Sequence, residues 1–272
     1  MKQQAIGVID SGVGGLTVAS ELMRQLPKER LIYLGDTLRC PYGSRPKEEI
    51  KRFTWDMVHF LMKKNIKMLV VACNTATAYT LTELQKELAI PVIGVIQPGA
   101  RAAINVTKNH RIGIIGTEAT IKSYAYPNAL YMINNHMEIL SQACPPFAPM
   151  VEKGITGGPE ALKIVENQLD PMNNGTNIDT LILGCTHYPL LKDVIQHVMG
   201  ENVQLISSSE ETARETSAIL EGNHLLNDHD DDIEHQFYTT GVLDVFKKQT
   251  EAIFTELHID VMGNIIINKA IN

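Results

Sequence analysis

The feature that most constrains this 272-residue chain is a regular alternation of short, β-branched apolar runs with longer, helix-compatible stretches. Strands are expected at residues 5–9, 31–34, 68–72, 92–95, 111–115, 138–141, 180–183 and 203–206. Between them, stretches such as 16–25, 47–64, 77–88 and 190–199 repeat apolar residues at i, i+3 and i+4, the period of a helix face. In 47–64, Ile50, Phe53, Met57, Phe60 and Leu61 fall on one side. Strand and helix taking turns in this way predict an α/β fold with largely parallel sheets. The strand runs are apolar throughout rather than alternating, as strands covered on both faces are.

The chain is longer than one core of about 150 residues ordinarily serves. One joint is expected at Gln97-Pro98-Gly99, where the strand–helix pattern starts again, and a second near Ser207-Ser208-Ser209. The part from residue 210 on, with a strand-like run at 236–239, is too small to stand alone and is expected to return to the first unit. The expected architecture is therefore two pseudo-symmetric α/β domains, 1–97 plus about 208–272 and 98–207, with a cleft between them.

Charge narrows the partners. With 24 Lys and Arg against 31 Asp and Glu, the net charge is −7, which argues against a general nucleic-acid binder or an anionic-membrane binder. No apolar run reaches the roughly 18 residues of a membrane span. The start, MKQQAIGVIDSG, has no signal-peptide pattern, so a cytoplasmic setting with reduced thiols is expected. The cysteines, Cys40, Cys73, Cys144 and Cys185, show neither CxxC nor zinc-finger spacing, so neither a metal site nor a redox pair is expected. The acid-rich stretch 227–234 reads as a solvated loop rather than a metal site.

Ligands of open α/β sheets bind beyond the carboxyl ends of the strands. Four segments fall there: Asp10-Ser11 with the glycine run Gly12 to Gly15, Gly35-Asp36, Cys73-Asn74-Thr75, and Cys185-Thr186-His187. A lone free cysteine is most often a small buried hydrophobe. Cys73, however, follows the run Val70-Val71-Ala72 and precedes the capping types Asn74 and Thr75. A thiol at a helix start is expected to have its pKa lowered. Cys185 repeats the arrangement after Leu183-Gly184, with Thr186 as a cap, Pro189 suited to a first turn and His187 able to shuttle a proton. Two thiols at equivalent strand ends, facing each other across closed domains, could remove a Cα proton from one face and return it to the other. The loop after Ile9 could hold a carboxylate on backbone N–H groups, with Ser11 donating. Asp10 reads either as a structural cap or as a base beside a thiol or partner to an ammonium. Cys40 and Cys144 each sit beside a proline without a capping pattern and read as structural.

These residues resemble the glutamate racemase family within the wider aspartate/glutamate racemase group. The resemblance rests on GVIDSGVGGLTV from Gly7, YLGDTLRCPYG from Tyr33, ACNTATA from Ala72, GVIQPGA from Gly94, IGTEATIKS from Ile115 and LGCTHYPLL from Leu183. It implies cofactor-independent interconversion of L- and D-glutamate, D-glutamate supply for peptidoglycan, two α/β domains with the active site in the cleft between them, and usually a homodimer. It implies Cys73 and Cys185 as the catalytic pair, with Asp10, Asp36, Glu152 and His187 as polar groups that assist or orient the thiols. It also implies substrate binding by Asp10-Ser11, Tyr42-Gly43, Asn74-Thr75 and Thr186-His187. Two other readings stay open: a racemase for aspartate or another small acidic amino acid, and a non-catalytic binder of small anions. The segment Ile206-Ser207-Ser208-Ser209 departs from the Asp-Ser common in the family, and residues 154–175 and 221–272 match little of its pattern.

Overall fold

The computed structural model describes residues 1–173, 175–229, 233–259 and 264–270. Among the described residues, ten strands form two sheets. The first contains β1 (Ile6–Asp10), β2 (Leu31–Gly35), β3 (Met68–Val71), β4 (Val92–Gly94), β9 (His235–Thr239) and β10 (Ile265–Lys269). The second contains β5 (Arg111–Gly116), β6 (Glu138–Ala143), β7 (Thr180–Gly184) and β8 (Gln204–Ile206). Every pairing is parallel. Parallel strands need covered faces, and β1, β2, β3 and β7 are buried at every residue. Ile6, Val8 and Ile9 are wholly buried, each stabilising the fold by about 1.5–3 kcal/mol on the usual scale for a buried side chain.

The strand order explains where a site can form. The first sheet runs β10-β9-β2-β1-β3-β4 and the second β6-β5-β7-β8. Without the two late strands the orders match: the first strand lies inside, the second on one side, the third and fourth on the other. The chain therefore reverses direction across the sheet between β1 and β3, and again between β5 and β7. These are the switch points at which crevices open beyond the strand ends. Asp10 and Cys73 stand at the first, and Thr117 and Cys185 at the second. β9 and β10 join the outer side of β2, so the chain's last part returns to the first sheet.

Helices join the two halves. The helix Leu16–Gln25 packs on Ser208–Gly222, which packs on Ile96–Val106. The expected joint at Gln97-Pro98-Gly99 is not a loop: it lies in the first turn of Ile96–Val106, where a proline's missing N–H costs no helix bond. At the second joint, Ser207 caps Ser208–Gly222, its side chain accepting from the Ser209 N–H. The helix expected at 77–88 starts earlier, at Asn74. The one expected at 190–199 begins as a 3-10 turn, Tyr188–Leu191, before Lys192–Met199. In the acid-rich stretch, 230–232 lie outside the described residues, and exposed Asp228 pairs with Lys2 at 2.6 Å. Among the described residues, no helix is long and apolar enough to cross a membrane.

Candidate active site

The carboxyl ends of the two sheets meet across a narrow cavity of about 10 Å³, lined by Ser11, Tyr42, Cys73, Asn74, Cys185 and His187 among others. That is room for about one water. Side chains from both halves close it. Thr186 Oγ1 donates to Asp10 Oδ1 at 3.1 Å, Tyr126 Oη donates to Asn74 Oδ1 at 2.7 Å, and the hydroxyls of Thr75 and Thr117 lie 2.9 Å apart.

Cys73 reaches the cavity because β3 ends there and a helix begins. Its own sulfur is the cap, accepting from the Ala76 N–H at 3.4 Å, and it lies 3.6 Å from Ser11 Oγ. The expected lowering of its pKa is overturned. Burial, with the charge of Asp10 second, pushes the thiol up to about 12, and the bonds from Ala76 and Ser11 only partly offset this. A helix end acts weakly on a sulfur buried this deeply.

Cys185, at the end of β7, has a different neighbourhood. Its sulfur lies 3.7 Å from His187 Nδ1, and His187 Nε2 lies 2.6 Å from Glu152 Oε1. Burial alone would discharge the ring. Hydrogen bonds with Cys185, Cys40 and Glu152 outweigh it and hold the His187 pKa well above its usual value. Burial likewise opposes charge on Glu152, but the bond and charge of His187 keep its carboxyl low. The pair is ionic. Thr186 does not cap the turn after β7, as expected from its type: that end has no side-chain cap, and the hydroxyl is committed to Asp10.

The glycine loop also departs from expectation. Its amides serve the protein's own carboxylates, Gly12 N–H donating to Asp10 Oδ2 at 3.0 Å and Val13 N–H to Glu152 Oε1 at 3.5 Å. Small residues are needed there because the other half presses in. A Cβ on Gly14 would stand 2.6 Å from both His187 Nδ1 and Thr186 Oγ1. Asp10 is wholly buried, which raises its pKa against the opposing charge of His187.

Asp36 lies one step back. Its carboxylate accepts from Arg39 Nε at 2.6 Å, from Thr240 Oγ1 at 2.7 Å and from the Tyr42 hydroxyl, and Tyr42 then lines the cavity with Gly43. The amide of Asn74 offers a contrast: Oδ1 is engaged by Tyr126, but buried Nδ2 has no hydrogen-bond partner among the described residues. An unpaired buried donor on a cavity wall suits an acceptor brought by a ligand.

Three neighbours escaped the sequence reading: Cys40, Thr117 and Tyr126. Thr117 directly follows a strand, as Ser11 does, and the strand-end rule applied to β5 finds it. Cys40 lies against Glu152 and His187, although the cysteines are dispersed along the chain. Cys144 is buried, its carbonyl accepting from Tyr188 Oη at 3.0 Å.

Comparison with known proteins gives this geometry a context. Residues 6–216 match the family model for Asp/Glu/Hydantoin racemase. A glutamate racemase of Oceanobacillus iheyensis is 61% identical over 270 residues, covering 98% of each chain. The crystal structure of glutamate racemase isoform RacE1 from Bacillus anthracis has a TM-score of 0.92 and 48% identity, over 100% of this chain and 98% of that one. A glutamate racemase from Francisella tularensis in complex with D-glutamate has a TM-score of 0.88 and 34% identity, over 98% of both chains.

Proposed function

We propose that this chain, which belongs to the Asp/Glu/Hydantoin racemase family, interconverts L- and D-glutamate with Cys73 and Cys185 as opposed acid and base. The observation that carries the reading is that the two thiols stand at equivalent strand ends of matched sheets and line one cavity. Glutamate as substrate rests on the near full-length relationship to glutamate racemases.

A Cα proton is a very weak acid, so the site must both take it and stabilise what is left. In one direction a thiolate takes the proton from one face and the opposite thiol supplies another to the other face; the return reaction exchanges their roles. Each sulfur has its own proton partner. Cys185 faces His187, which can hold a proton while Glu152 fixes the ring and balances its charge. Cys73 faces Ser11, with Asp10 close enough to oppose its ionisation. Charge developing toward the substrate carboxylate meets fixed donors, Asn74 Nδ2 first and then Thr75 and nearby backbone N–H groups. Asp36 positions Tyr42. The cavity is far smaller than an amino acid, so the halves part to admit substrate and close to exclude water. The chemistry is read as needing no cofactor.

The same reading includes domains of 1–97 with about 208–272 and of 98–207, supported by the grouping of the strands. It also includes a homodimer in the cytoplasm and a role in supplying D-glutamate to cell-wall synthesis.

The test is substitution and isotope uptake. Cys73→Ser and Cys185→Ser should each abolish racemisation, followed by circular dichroism from either enantiomer. In D₂O the product should gain solvent deuterium before the recovered substrate does. Near-normal turnover of both enantiomers by one variant would defeat the two-base mechanism. Side-by-side assays with aspartate set the substrate. Binding of glutamate that survives thiol alkylation, with no racemisation detected, would instead favour an anion-binding protein.

A further inference from the structure

Cys40, one of two thiols that the reaction leaves unused, lies against two groups that the reaction uses. Its sulfur is 3.4 Å from Glu152 Oε1, and that oxygen is 2.6 Å from His187 Nε2. One ligating atom from each residue falls within 4.8 Å of the other two. Three separate segments deliver them: the loop after β2, the helix Phe147–Glu152 and the turn after β7.

A thiol, an imidazole and a carboxylate make the donor set of a borderline divalent cation, zinc above all. Tetrahedral bonds of about 2.0–2.3 Å hold neighbouring donors roughly 3.3–3.6 Å apart. The sulfur–oxygen distance of 3.4 Å already fits. The nitrogen–oxygen pair must open by under about 1 Å, the change expected when a shared proton gives way to an ion. Charge also fits, since a thiolate and a carboxylate together balance a dication. Access comes from the solvent side: Cys40 is half-buried and the Glu152 side chain is 21% exposed, whereas His187 is 2% exposed.

We propose that Cys40, Glu152 and His187 form a binding site for a zinc-like divalent cation, and that its occupancy stops racemisation. The inhibition rests on the function proposed above; the binding does not. On binding, the Cys40 S–H bond breaks, a sulfur–metal bond forms and the proton leaves to solvent. The His187 Nε2 proton, now directed at Glu152, leaves in the same way, and its electron pair goes to the metal. Glu152 Oε1 exchanges its hydrogen bonds with His187 and Cys40 for a metal bond. Nothing is oxidised, and two protons are released. The ring that faces the Cys185 sulfur is then held by the ion and no longer free to exchange protons with it.

The experiment uses the full chain and Zn²⁺ alone, titrated calorimetrically in two buffers of different ionisation enthalpy. Co²⁺ serves as a spectroscopic substitute. Wild type should bind one ion, release two protons and show a thiolate-to-cobalt absorption band. Cys73→Ala should bind as wild type does. Cys40→Ala should bind more than about 100-fold more weakly, beyond the 10–100-fold that losing an outer-shell partner costs. It should lack the band and release one proton fewer. Cys40→Ser, nearly isosteric, serves as a second variant, and thermal melting verifies that each is folded. Racemase assays with bound Zn²⁺ should show inhibition that tracks the binding constant in wild type and is lost in folded Cys40 variants, each compared with its own metal-free rate. Unchanged binding in folded Cys40→Ala, or loss of the band in Cys73→Ala instead, overturns the site. Tight Cys40-dependent binding with undiminished turnover overturns the inhibition alone. An absence of turnover without metal counts against the proposed function and leaves the calorimetric result standing.

Discussion

Acidification should weaken the fold through one side chain remote from the chemistry, His235. This residue opens β9, is 6% exposed, and accepts the Leu31 N–H on Nδ1 at 3.2 Å. An accepting Nδ1 carries no proton, so the folded ring is neutral. Burial, helped by the charge of Arg30, lowers its pKa from 6.5 to about 4. Above 6.5 the ring is neutral folded or unfolded, and the native contact is fully present. Between 6.5 and about 4 the unfolded chain takes up a proton that the native state refuses, so stability falls with pH. At about 1.4 kcal/mol per pH unit, the loss amounts to ~3 kcal/mol. The contact matters to the site because β9 leads to Thr240, which holds Asp36. His235→Gln keeps an acceptor and removes the titration. Urea unfolding of both proteins from pH 7 to 4.5 should show wild type losing stability relative to the variant by about 1.4 kcal/mol per pH unit below 6.5. A gap independent of pH, or a folded His235 that titrates near 6.5 by NMR, would rule out His235 as the source of the acid sensitivity.

Other perturbations test other parts of the argument. Lys67→Met removes the cation lying 2.5 Å from buried Glu29 and should destabilise the fold by about 3–5 kcal/mol, read as a fall in unfolding midpoint. Thr186→Val leaves Asp10 Oδ1 without its hydroxyl donor; a loss of about 1–3 kcal/mol implies roughly 10–100-fold lower kcat/KM, with Thr186→Ser close to wild type. Gly14→Ala drives a methyl against His187 and Thr186 and should lower kcat/KM by at least about 10-fold. Its thermal unfolding should remain cooperative, since the clash is confined to the cleft.

Much of the fold was legible because its signals are local. The buried runs of β1, β3 and β7 announce themselves, and a cysteine directly after such a run followed by helix-compatible residues marks Cys73 and Cys185. Other features depend on what lies across the cleft. Thr186 has the chemistry of a cap, yet Asp10, far away in sequence, claims its hydroxyl. Cys40 reads as structural until the helix ending at Glu152 and the turn carrying His187 are folded against it. The joint expected at Gln97-Pro98-Gly99 shows the opposite limit, since it lies in a helix, and proline and glycine mark a loop and a helix's first turn equally well. The Cys73 pKa was misjudged because the helix end is written in the sequence while the depth of burial is not.

The two sheets share a strand order but not the company their thiols keep: Cys185 has an imidazole and a carboxylate, Cys73 a hydroxyl and a second acid. Enantiomers have equal free energy in water, so the equilibrium constant between them is one, and kcat/KM must be the same from either side. The inequality of the two walls is therefore barred from that ratio. It can appear only in how each direction divides the ratio between kcat and KM, and in isotope effects that differ with the enantiomer supplied. A symmetric balance between mirror-image substrates is thus kept by a site whose two halves approach it by different routes.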